Sequence, residues 1–89
     1  MSVIVTRHCD KRFYQRVART KRMQLFIARA LHFGKKAEDV RNGMLRKELL
    51  RKEKEYGTVA RVYQNNIFWF DGETAITVMP LAQKYHGKA

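Results

Sequence analysis

An α+β fold is what this 89-residue chain predicts, with N-terminal helices packed on one face of a C-terminal antiparallel meander of three to four strands. Three observations lead there. Apolar residues recur at helical spacing through the first half: Cys9, Phe13 and Val17, then Met23, Phe26, Ile27, Ala30 and Leu31. The last third is rich in β-branched and aromatic residues and is cut by two turn signals, Asn65-Asn66 and Asp71-Gly72. Hydrophobic residues make up 45% of the chain, with five Phe, four Tyr and one Trp, enough apolar material to build a core. The length suits one domain and not two.

The elements follow in order. Ser2 to Thr6 reads as a short β-branched strand. Thr6 is placed to cap a helix from Arg7 to about Arg19. Thr20 can cap a second helix, Lys21 to Phe33, and Gly34 is placed to end it. A third helix runs from Leu45 to Tyr56, with Leu45 and Leu49 inward beside Leu50 and Gly57 as its stop. Residues 35–44 carry no assigned element, and Asn42-Gly43 suggests a break within them. Strands follow at Val59–Gln64, Ile67–Asp71 and Thr74–Met79, and Pro80, which cannot donate to a ladder, ends the last. The basic segment 82–89 is expected to be a mobile tail.

Two-residue loops would also fix the register. They place Tyr63 opposite Phe68, Phe68 opposite Thr77, Arg61 opposite Phe70 and Phe70 opposite Ala75. One face then carries Val62, Trp69 and Ile76, flanked by Ile67 and Val78, and is expected against the helices. The other carries Arg61, Tyr63, Phe68, Phe70 and Thr77 and is expected to stay open. A one-residue bulge would exchange these assignments.

The formal net charge is +11 and is unevenly spread. Residues 7–36 hold ten Lys or Arg against one acid, Asp10. Such a concentrated basic half points to a polyanion, above all nucleic acid, whose binding weakens steeply with salt. The plainer readings are charge kept for solubility or a patch for an acidic protein. The single cysteine, Cys9, excludes an internal disulfide and has no Cys or His at zinc-ligand spacing, so neither metal nor cofactor is expected. No apolar run approaches a membrane span, and the start does not read as a signal peptide, so the cytoplasm is the expected compartment.

Candidate site residues fall in two groups. His8, Arg12, Arg16 and Arg19 lie within an arc of about 80° on the first helix, a stripe able to track successive phosphates. Arg7, Lys11, Lys21 and Arg22 extend it. The bland reading is a solvated face that happens to be basic. The open sheet face adds Arg61, Phe68, Phe70 and Thr77, where single-stranded bases could stack. Against it stands a core role for both rings. Metal-independent RNA cleavage needs a base, an acid and cations for the developing phosphorane charge. His8, Arg16 and Tyr63 could take these roles, although a lone His near a helix start is more often a capping or surface residue. No carboxylate cluster of a metal-dependent nuclease is present in the sequence.

The combination of Thr6-Arg-His8, Arg12 and Arg16 with Arg61-Val-Tyr63, Ile67-Phe-Trp-Phe70 and Thr74-Ala-Ile-Thr-Val-Met-Pro80 resembles a group of small proteins of firmicute phages and mobile elements. The likeness covers most of the chain through short motifs. Cys9, Asp10 and Gln15 depart from the group's pattern. The layout also resembles the RelE-like (BECR) metal-independent ribonucleases. That resemblance implies His8, Arg12, Arg16, Arg61, Tyr63 and Thr77 as site residues, and toxin-like cleavage of RNA. The expectation is therefore an RNA-binding protein with RelE-like endoribonuclease activity. One alternative is a non-catalytic phage inhibitor of a host nucleoprotein defence complex, of anti-CRISPR type; another is a DNA-binding regulator. An acidic protein partner would suit the toxin reading.

Overall fold

The computed structural model describes residues 3–17 and 22–89. Its elements are β1 (Ile4–Val5), α1 (Arg7–Arg16), α2 (Met23–Phe33), β2 (Lys35–Lys36), a 3-10 turn (Ala37–Asp39), α3 (Gly43–Tyr56), β3 (Val59–Tyr63), β4 (Asn66–Asp71), β5 (Thr74–Pro80) and a last 3-10 turn (Gln83–Tyr85). The class is α+β. The strands form one five-stranded sheet in the order β1-β5-β4-β3-β2. β1 runs parallel to β5, and the other pairings are antiparallel.

The sheet is wider than the meander alone, and it is covered on both faces. β2 comes from the stretch that carried no assigned element: Lys35 pairs with Val62 and Lys36 with Arg61. α1 and α2 pack on one face, where Cys9, Phe13, Ile27, Ala28 and Ala30 meet Phe68, Phe70, Ala75 and Val78. α3 crosses to the other face, where Leu45 and Leu49 meet Ala60, Val62, Ile67 and Trp69. The expectation of helices on one face and an open sheet on the other is therefore corrected. The apolar stripes of α1 and α3 bury themselves against opposite sides of the same sheet.

Local chemistry sets each boundary. Thr6 caps α1: its Oγ1 accepts from the Cys9 amide at 3.1 Å and donates to the Ile76 carbonyl at 2.9 Å. One hydroxyl thus starts the helix and ties it to β5. Thr6→Val removes both bonds at nearly constant shape, and we expect a loss of about 1–2 kcal/mol in urea denaturation, largely restored by Thr6→Ser. Asn42 caps α3 by accepting from the Leu45 amide at 3.0 Å, so Asn42-Gly43 is a helix start as well as a break. α3 ends at Gly57 with a φ of 66°, in the left-handed conformation that glycine adopts freely. α2 begins at Met23; Thr20, its expected cap, lies outside the described residues.

The register differs from expectation in two ways. The β3–β4 turn occupies Gln64 and Asn65, with φ of 50° and 59°, the pair of left-handed residues that a tight hairpin needs. Tyr63 therefore pairs with Asn66 and Arg61 with Phe68, a slide of two residues that keeps every side chain on its face. Between β4 and β5, Phe70 pairs with Ala75 as expected. An irregularity then shifts Trp69 onto Thr77 and Phe68 onto Val78. Thr77 thereby moves to the Trp69 side, and Val78 joins the phenylalanines.

The C-terminal segment, expected as a tail, packs against the domain. Leu81 and Tyr85 are buried beside Trp69 and Leu49. The Leu81 amide donates to Asn65 O at 2.9 Å, and Lys35 Nζ donates to Ala89 O at 2.8 Å.

Candidate nucleic-acid interface

The basic half of the chain becomes a basic layer of the fold. α1 lies along β5 and buries Cys9 and Phe13, which leaves Arg7, His8, Lys11, Tyr14, Gln15 and Arg16 exposed and Arg12 half-buried. α2 lies over β3 and β4 and exposes Arg22 and Arg29 on the same side. Arg29 was not among the expected binding residues. Its spacing of seven from Arg22, two helical turns, was the available signal. Arg19 and Lys21 lie outside the described residues. Asp10, half-buried, is the one carboxylate in α1 and α2.

The charge divides by layer. Among the described residues the ion pairs are Arg51–Glu55 at 3.0 Å and Lys52–Glu48 at 3.3 Å, and both lie on α3. In the α1 layer, Arg12 Nη1 donates to Gln15 Oε1 at 3.3 Å and Arg16 Nη1 to the Val78 carbonyl at 3.3 Å. These bonds hold the guanidinium groups without neutralising them.

The remaining expected site residues disperse. Phe68 and Phe70 are fully buried beneath α1 and α2, so the aromatic stacking platform is corrected: the rings are core. Phe26 of α2 covers them, at 6.0 Å from Phe68, and also meets Phe13 and Tyr63 edge-on at 5.4 Å each. Thr77 lies on the α3 side, in a pocket of about 350 Å3 with Tyr56, Thr58, Trp69, Ile76 and Met79, away from the basic layer. Arg61 is half-buried toward the β2 edge, where it lines a pocket with Lys36, Glu38 and Glu53.

The proposed catalytic trio is spread out. His8 stands in the first turn of α1 and Arg16 at its end. Eight residues of helix separate them by about 12 Å along the axis. Tyr63 is half-buried against Phe26. Among the described residues no cluster of His, Cys, Asp and Glu could hold a metal ion, and no helix is long and apolar enough to cross a membrane.

Cys9 is the nucleophile nearest the basic layer, and the fold silences it. Burial, with a smaller contribution from Asp10, pushes its thiol up from 9.0 to about 11. Between these values the unfolded chain has lost the thiol proton and the folded chain keeps it. Stability therefore falls as pH rises from about 9 to about 11, by on the order of 1 kcal/mol per pH unit from this group. Urea denaturation of wild type and Cys9→Ala across that window should diverge by this slope, and a thiol reagent should modify Cys9 at pH 8 only after unfolding.

No family model, curated protein or solved structure matches this chain.

Proposed function

We propose that the protein binds nucleic acid by neutralising backbone phosphates with the layer formed by α1 and α2. The observation that carries this reading is the segregation of charge. Arg7, Lys11, Arg12, Arg16 and Arg29 share one side of the sheet with Asp10 as the only helical carboxylate, while the acid–base pairs lie on α3. Like charges on neighbouring helical turns repel, by a few tenths of a kcal/mol per pair. A phosphate row repays that cost. A surface kept basic for solubility alone would gain more from interspersed acids, as on α3.

Base stacking on an aromatic sheet has no part in this proposal, because those rings are core. RelE-like cleavage and inhibition of a defence complex rest on the resemblance and stand outside it.

Fluorescence anisotropy with labelled oligonucleotides tests the reading. We expect binding at about 50 mM salt that is largely lost by about 200 mM, as counterion release requires. Arg7, Lys11 and Arg12 changed together to Gln should abolish it, whereas Lys47→Gln with Lys54→Gln on α3 should leave most of it. No binding at low salt, or equal losses from both variants, would refute the proposal.

A further inference from the structure

The arrangement of charge around α1 says more about the ligand. At about 100° per residue, Arg7 and Lys11 lie on one side of Gln15 and His8, with Lys11 pointing most directly away from the core, and Arg12 and Arg16 lie on the other, toward the sheet. The flanks are separated by about 100° or more, and His8 and Gln15 form the crest between them. Cys9 and Phe13, about 130° from that crest, enter the core. Gln15 and His8 are exposed, and Gln15 uses its carbonyl oxygen to accept from Arg12. The crest thus offers the hydrogen-bonding groups of Gln15 and His8, and Lys and Arg cations stand on both sides of it.

A single strand presents one row of phosphates and would be served by one flank. A duplex groove presents two rows with base edges between them. α1 has ten residues, which makes a rod about 15 Å long and about 10–12 Å across with its side chains. The major groove of B-form DNA, about 12 Å wide, admits such a rod. The major groove of A-form RNA is deep and too narrow for side chains to read. The exposed aromatic residues are spread over the helices, with Tyr14 on α1, Phe33 on α2 and Tyr56 on α3. Resting on the nucleic-acid reading above, we infer that α1 seats in the major groove of double-stranded DNA. Arg7 and Lys11 face one phosphate row, Arg12 and Arg16 face the other, and Gln15 and His8 face the base edges.

The test is a competition series in which unlabelled duplex DNA, duplex RNA, single-stranded DNA and single-stranded RNA of one length displace a labelled duplex DNA. We expect duplex DNA to compete about tenfold or more better than the rest at equal salt. Lys11→Gln and Arg12→Gln, on opposite flanks and outside the core, should each lower the slope of log affinity against log salt by about 0.9. Far-UV circular dichroism confirms that both variants keep their helices. Equal or better competition by single strands or duplex RNA overturns the groove inference while leaving the nucleic-acid reading standing. So does a slope change confined to one flank. Failure to bind the labelled duplex, or any other polynucleotide tried directly, removes both.

Discussion

Phe68→Ala is expected to lower stability by about 3–5 kcal/mol, the usual cost of deleting a buried ring and leaving a cavity. Phe68 is fully buried between Phe26 and Phe70, whose rings lie 6.0 Å and 6.4 Å from its own. It also backs the contact between α2 and the centre of the sheet. A domain of this size holds about 5–15 kcal/mol in total, so the variant should lie close to unfolding at 37 °C. Urea denaturation at 25 °C reads the loss directly. On an open platform the same change would leave stability nearly untouched and weaken only single-strand binding. Phe68→Leu, which keeps most of the volume, should cost less than half as much.

Gly34→Ala is expected to destabilise by about 2–3 kcal/mol, against the usual direction of such a change. Gly34 ends α2 with a φ of −63° and a ψ of 147°, a conformation open to any residue. Alanine there should by itself stabilise by about 0.4–1 kcal/mol, because it restricts the unfolded chain. Sterics reverse the sign. An added Cβ would lie 2.3 Å from the Ala30 carbonyl oxygen and 3.0 Å from Arg61 Cβ. The first contact is backbone, within a turn whose Gly34 amide already bonds Ala30 O at 2.9 Å, so it cannot swing away. The last turn of α2 must open at Ala30 and also draw back from Arg61 on β3 to make room. Gly57 provides the contrast. Its φ of 66° opposes a side chain, yet nothing lies within 4 Å of where a Cβ would stand. Gly57→Ala should cost about 1 kcal/mol, from backbone strain alone. Ranking the two variants by denaturation midpoint separates close approach from conformational need as reasons for a glycine.

Those two sites also show what could be read from sequence. Gly34 is legible as a helix end, but part of its reason, the approach of Arg61, depends on a strand 27 residues away. Gly57 was read correctly because a left-handed helix stop is a local property. The helices themselves were legible from the spacing of Cys9 and Phe13 and of Leu45 and Leu49. Which face of the sheet each would cover was not. That choice is made by the chain path through Ala37–Asp39, where β2 attaches to β3 before α3 begins. The hairpin turn was missed by one position, since Gln64 takes a left-handed conformation seldom assigned to glutamine. The error was harmless to side-chain facing, because the resulting slide is even. The extra residue in β5 was not harmless: it carried Thr77 away from Arg12 and Arg16, and with it one member of the expected site. The basic stripe of α1 was the most legible part of the proposed interface, because four-residue spacing on a capped helix leaves its geometry little freedom.

The pairing of β1 with β5 has a consequence for how the chain acquires its shape. Ile4 is bonded beside Thr74, so the first strand cannot find its neighbour until nearly the whole polypeptide is available. The Thr6 hydroxyl reaches across the same 70-residue separation to Ile76. Closing so long a loop is entropically unfavourable, with a cost that grows as the logarithm of its length, and long-range pairings of this kind slow folding. During synthesis the arginine-rich N-terminal helix must therefore wait, undocked, while the later strands emerge from the ribosome. The contacts that fix its orientation need β5, so the basic surface becomes an ordered array only when the final strand is in place.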